Sequence, residues 1–130
     1  MIPVEFTMAL KTDPQLHGRT WQARHGVVKD QRAKVASWLT ASVPWQAKQE
    51  LRARLGLGQA VAVTLTRHYR ATPCDPDNLG KALKHVRDEI TAWLGLKDDA
   101  DPRLRWLYRQ AKGGGVTVRL EAAEAEEDAA

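Results

Sequence analysis

Residues 74–102 read CDPDNLGKALKHVRDEITAWLGLKDDADP, and seven of the sixteen carboxylates of the chain fall within them. Stepped round a helix at about 100° per residue, Leu79, Ala82, Leu83, Val86, Ile90, Trp93 and Leu94 fall on one stripe. The spacing predicts a single amphipathic helix from Asn78 to about Leu94, docked by that stripe and stopped by Gly95. Asp77, Lys81, Lys84 and Asp88 line the opposite side. The stripe is explained by burial alone; the first turn is not. Gly80 costs up to about 1 kcal/mol relative to Ala, and Lys81 opposes the helix dipole. A local conflict of this kind points to a functional site.

The acids at the two ends of the helix pose the chemical question. Pro76 pushes Asp75 toward extended geometry. Residues i and i+2 of an extended segment point the same way, so Asp75 and Asp77 converge just before the helix. Two like charges at that distance repel unless a proton, a cation or solvent intervenes. Carboxylate oxygens are the ligands Mg²⁺ prefers. Asp98, Asp99 and Asp101 lie past the far end, where the chain turns back. A strand beginning at Arg103 would return one of them to the first pair. Each cluster alone reads as a helix cap or a turn. Together with Lys81 and a basic domain, they read as a metal-binding set.

Outward from this stretch the chain alternates strand and helix patterns. Ile2, Val4, Phe6, Met8 and Leu10 share one face of a leading strand. Residues 11–26 read as an irregular loop carrying His17, Arg19, Trp21, Arg24 and His25, suited either to backbone binding with base stacking or to ordinary packing. Val28, Val35, Trp38 and Leu39 give a helix over 27–42, with Gln31 as a polar lapse. Pro44 opens a second helix through Trp45, Leu51 and Leu55, stopped by Gly56 or Gly58. Val61, Val63 and Leu65 alternate in a strand that ends in Arg67, His68, Tyr69 and Arg70. Leu104, Trp106 and Tyr108 alternate with Arg103, Arg105 and Arg109. Val116, Val118 and Leu120 return after three glycines, as a hairpin. The result is an α+β class, a small mixed sheet of about four strands with helices packed on one face.

Residues 1–120 are expected to be one domain and residues 121–130, EAAEAEEDAA, an acidic, solvated tail. No apolar run approaches a membrane span, and the N-terminus lacks signal-peptide character. A lone Cys74 and no zinc-like Cys/His spacing leave the cytosol as the default. The net charge of +4 hides an asymmetry: residues 1–120 hold 20 basic and 11 acidic side chains. Such a domain suits a polyanion, nucleic acid above all.

The segment from Asp75 to Trp106, about a quarter of the chain, resembles the signature of RusA-type crossover-junction endodeoxyribonucleases, the Holliday junction resolvases common in phages and prophages. The pattern is D-x-D-N-x-x-K, a helix, then an acidic pair: Asp75, Asp77, Asn78, Lys81, then Asp98 and Asp99. The order of flanking strands agrees as well. The resemblance implies a homodimeric, Mg²⁺-dependent nuclease of a bacterial host cytosol, acting on four-way DNA junctions in recombination and repair. Asp75, Asp77 and Asp99 would bind metal, Lys81 would stabilise charge on the scissile phosphate or orient the attacking water, and Asn78 would steady the site. The span from Asp77 to Asp99 is longer than the family pattern by about one turn. Asp98, Asp101 and Asp88 therefore stay open as alternatives to Asp99.

Carboxylates alone would repel DNA, so Arg67, Arg70, Lys81, Arg103, Arg105 and Arg109 are the expected phosphate contacts. Three other readings compete. One is a branched-DNA-binding protein of the same fold without catalysis. A D-x-D phosphatase or glycosyltransferase is disfavoured by RHYRATPC between strand and motif and by the short chain. The last is an interaction protein with an ordinary basic surface.

Overall fold

The structure, a computed structural model, describes residues 1–12 and 21–123, with backbone alone at 21–25, 27 and 28. Its elements run β1 (Val4–Met8), α1 (Trp21–Ser42), α2 (Trp45–Gly56), β2 (Val61–Tyr69), α3 (Pro76–Ala82), α4 (Lys84–Trp93), β3 (Leu104–Lys112) and β4 (Val116–Ala122). The four strands form one mixed sheet in the order β1-β4-β2-β3, with β2 and β3 parallel and the other neighbours antiparallel. The class is α+β.

Strand alternation decides which face is covered. Val61, Val63 and Leu65 of β2 and Val116, Val118 and Leu120 of β4 are fully buried. They join Met8, Val35, Leu39, Leu51, Leu55, Leu83, Val86 and Ile90 in a single core. Between them Thr64, Thr66, Thr117 and Arg119 stay partly open to solvent. Each fully buried aliphatic side chain contributes about 1.5–3 kcal/mol, so this one face holds the helices to the sheet. Gln31, the polar lapse in α1, is buried and donates from Nε2 to the Lys11 carbonyl at 2.7 Å. Among the described residues no helix is long and apolar enough to cross a membrane.

The central helix buries the stripe that periodicity assigns to it: Leu79, Ala82, Leu83, Val86, Ile90 and Leu94. It is two helices, however, not one. Leu83, at φ −101° and ψ 3°, separates α3 from α4. Leu83 N still donates to Leu79 O and Arg87 N to Leu83 O, so the junction is a kink rather than a break. The helix also starts two residues early, with Pro76 in the first turn and Asp75 as the extended cap residue. Gly95, at φ +84°, follows the end of α4.

Three other expectations are corrected. Trp21, Arg24 and His25 belong to the backbone of α1, not to a loop; Gly26, where the helical pattern was cut, is an interior glycine of that helix. Ile2 is exposed and lies outside β1. Residues 103–120 are not a hairpin, because β4 lies between β1 and β2 and never pairs with β3. Alternation reports which face is buried, and it reads the same whichever strand is the neighbour. Gly113–Gly115 instead carry the chain over the end of β2: Gly113 N donates to Tyr69 O, and His68 N donates to Gly115 O. His17, Arg19 and residues 124–130 lie outside the described residues, whereas Glu121 and Ala122 complete β4.

Candidate active site

β2 delivers the chain to the extended segment 71–75 and thence to α3, which carries Asp77 and Lys81 on its outer side. After α4 the loop 95–101 folds back along the helix and brings Asp99 against it. Lys84 Nζ lies 2.8 Å from Asp99 Oδ2 and 3.1 Å from Asp88 Oδ1, the second being the i, i+4 pair that the helical stripe anticipates. Arg87 Nε sits 2.6 Å from Asp99 Oδ2, close enough to pair by charge although its N–H is not aimed at the oxygen. One open depression, about 540 Å³, is lined by Asp77, Gly80, Lys81, Lys84, Arg87, Asp99 and Tyr108. The first acidic cluster and the second therefore face a common space, through Asp77 and Asp99.

β3 builds the wall beneath it. Its alternate residues face the helices, and each has a task. Trp106 donates from Nε1 to the Asp99 carbonyl at 2.8 Å. Arg87 stacks on Trp106, with its guanidinium carbon 4.8 Å from the ring centre, and donates to the Tyr108 hydroxyl. Gln110 brackets the backbone of Cys74: its amide oxygen accepts from Cys74 N–H at 3.0 Å, and its Nε2 donates to Cys74 O at 2.8 Å. That side chain imitates a strand partner and pins the residue before Asp75. Sequence reasoning missed Arg87 and Gln110. The available signal was the period of two that continues from Leu104 through Trp106 and Tyr108 to Gln110.

The other predicted residues sort into engaged and unengaged groups. Asp75, Asp77 and Lys81 are exposed and, among the described residues, have no ion pair or side-chain hydrogen bond. Asn78 is half-buried at the start of α3. Asp98 caps the turn by accepting from Ala100 N at 2.9 Å, and it shares a separate depression with Arg32, Asp88 and Asp99. Asp101 is held in a two-point pair by Arg103, whose Nη1 also donates to the Leu55 carbonyl. Arg103, expected to touch DNA, is thus tied to its own turn. Arg67 donates from Nε to Thr12 Oγ1 at 2.8 Å and approaches Cys74 Sγ. Arg70 and Arg109 are exposed, and Arg105 is half-buried.

Titration follows these contacts. The Lys84 hydrogen bond, against a smaller effect of burial, holds the Asp99 carboxyl below its ordinary value. The same bond raises Lys84. Arg103 brings Asp101 down to about 2. Burial is the main cause of the lowered pKa of His85.

Among the described residues no three His, Cys, Asp or Glu side chains gather closely enough to enclose a metal ion. Mg²⁺ does not need such a cage, since it usually keeps several waters and takes one or two carboxylates together with substrate phosphates. Asp77, with no partner to displace among the described residues, and Asp99 across the depression fit that mode. The chain matches no protein-family model, no curated protein and no solved structure.

Proposed function

We propose that the chain is a Mg²⁺-dependent, structure-specific endodeoxyribonuclease of the RusA type, cutting four-way DNA junctions as a homodimer by phosphodiester hydrolysis. Its setting would be phage or prophage DNA in the cytosol of a bacterial host. The observation that carries the reading is the shared depression: Asp77 and Lys81 from one end of the motif face Asp99 from the other. The basic excess of residues 1–120 supports a polyanionic substrate.

Asp75 and Asp77 would hold Mg²⁺, with Asp99 as a further oxygen donor. When bound, the ion supplies a water of lowered pKa and a counter-charge for the developing oxyanion. Lys81, exposed at the rim, offers a mobile ammonium to a non-bridging phosphate oxygen. Arg87 is immobilised between Trp106 and Tyr108, so its charge is a fixed part of the floor and needs little reorganisation. Gln110 keeps Asp75 in register by holding Cys74.

Asp77→Asn should abolish cleavage of a synthetic four-way junction in Mg²⁺ and leave junction binding intact or tighter, because it removes a negative charge beside the phosphate. A purified variant that still cuts would refute the assignment. A second reading, a catalytically inactive branched-DNA-binding protein, is favoured by one observation: Asp99 is engaged by Lys84 and Arg87, and the depression carries three cations against two acids. Wild-type protein that binds the junction yet never nicks it, in Mg²⁺ or Mn²⁺, would establish that alternative.

A further inference from the structure

We infer that the glycine arch and the end of β2 form a second anion site, a cleft that takes a backbone phosphate of a nucleic-acid strand; this deepens the proposed reading by naming a contact away from the scissile position. The cleft, about 430 Å³, is lined by Leu10, Lys11 and Thr12 after β1, by residues 67–72, and by Gly113–Gly115. Lys11, Arg67 and Arg70 contribute three cations, and among the described residues the lining contains no carboxylate. That separates it from the depression at Asp77 and Asp99, where acids and bases alternate.

Three cations around one space repel each other until an anion enters. The guanidinium of Arg67 is already oriented by Thr12 Oγ1 and Cys74 Sγ, so little ordering is left for binding. A guanidinium fork matches phosphate oxygens in geometry as well as charge. The third wall is backbone without side chains. At Gly114 an added Cβ would meet no described atom within 4 Å, so among the described residues the cleft is open there to a close-approaching ligand. Cys74, touched by Arg67, directly precedes Asp75. The Arg67–Cys74 contact thus joins the cleft to the segment that leads into α3, which carries Asp77 and Lys81.

The test uses a fluorescently labelled four-way junction in EDTA, with binding read by anisotropy over a chloride series. Gly114→Asp places a carboxylate in the cleft at a position with room for it, and Gly114→Asn is its neutral control. Arg70→Glu tests the opposite wall. Loss of a charge-assisted contact predicts a roughly ten-fold or greater weakening for Gly114→Asp and Arg70→Glu. The slope of log K against log salt should become shallower by about 0.9 per lost phosphate contact. Gly114→Asn should bind like wild type. Unchanged affinity and slope in both charged variants would overturn the cleft, as would an equal loss in Gly114→Asn. Inorganic phosphate should compete better than chloride of equal ionic strength in wild type but not in Arg70→Glu; phosphate binding lost in Arg70→Glu while junction affinity stays unchanged would make free phosphate the occupant and overturn a strand site. If wild type never nicks while the charged variants still lose affinity, the nuclease reading falls and the cleft stands.

Discussion

Gly115→Ala tests the topology on which both sites depend. Gly115 has φ +86°, and a Cβ built there would lie 2.1 Å from the Met8 carbonyl oxygen on β1. A left-handed conformation costs an L-residue about 1–2 kcal/mol. Separating the new methyl from a backbone oxygen requires β1 or the arch to shift, an overpacking cost of about 1–3 kcal/mol. The substitution should therefore destabilise the fold by about 2–5 kcal/mol, a large part of the ~5–15 kcal/mol typical of a domain. In urea, with slopes of ~1–3 kcal/mol per molar, the midpoint should fall by roughly 1 M or more with the slope unchanged. Gly114→Ala is the internal control: its Cβ meets nothing among the described residues, and the change should stay within about 0.5 kcal/mol. A hairpin turn between β3 and β4 would tolerate Ala at one of these glycines much as at the other. Equal effects at Gly114 and Gly115, or a Gly115→Ala protein as stable as wild type, would refute the arch.

Lys84→Met should expose the pH signature of the pair with Asp99. Asp99 titrates below its ordinary 3.8, so its contribution is present above that pH and lost as pH falls through the lower folded value. Lys84 titrates above its ordinary 10.5, so its contribution is present below that pH and lost as pH rises through the higher one. The stability difference between wild type and variant should be flat from about pH 4 to 10 and no more than about 1 kcal/mol, since Lys84 is half-exposed; a slope near neutrality in urea titrations would contradict it. Gln110→Ala should raise the Mg²⁺ concentration for half-maximal nicking, with Gln110→Glu, which keeps the acceptor but loses the donor, in between; an unchanged Mg²⁺ titration would show that Gln110 does not position Asp75. Asp101→Asn should leave Mg²⁺-dependent nicking near wild type, because Arg103 already occupies that carboxylate; complete loss would move the third ligand from Asp99 to Asp101.

What the sequence made legible was local in origin. Leu79, Leu83, Val86 and Ile90 sit at helical spacing and are all buried, because burial of a helix face depends only on period. The same holds for Val61, Val63 and Leu65. The neighbour of each strand is a different matter. Val116, Val118 and Leu120 present the same alternation to β2 and β1 as they would to β3, and only the glycine arch, with its positive φ at Gly113 and Gly115, records the crossing. The kink at Leu83 was hidden for a related reason: a 100° step continues smoothly through it, and the angle shift lies within one residue. In the site, Asp77 and Lys81 were legible as one stripe. The engagement of Asp99 was not, since it depends on how loop 95–101 folds back. Arg103 looked like a free cation on a strand, but its partner Asp101 was two residues away, in a turn whose shape the sequence left open.

The ion pairs on Asp99 bear on the choice between a nuclease and a silent DNA-binding protein, and their energies differ. Lys84 has two acids within reach at once, so releasing Asp99 leaves it paired with Asp88 at 3.1 Å. With the Lys84 end of the pair half-exposed, the interaction contributes about 0–1 kcal/mol, less than a factor of ten in any competing equilibrium. Arg87 is the firmer partner, since it is stacked on Trp106, bonded to Tyr108 and only 23% exposed. It does not need to leave. Its Nη2 contact is with the Asp99 carbonyl at 3.3 Å rather than the carboxylate, and its Nε–H is not aimed at Oδ2. The carboxylate can turn away from Lys84 while the backbone of Asp99 stays held by Arg87 and Trp106. Asp99 is thus fixed in position by its main chain and loosely neutralised at its side chain, which is what a carboxylate needs if it is to exchange an ammonium for a harder cation without the loop refolding.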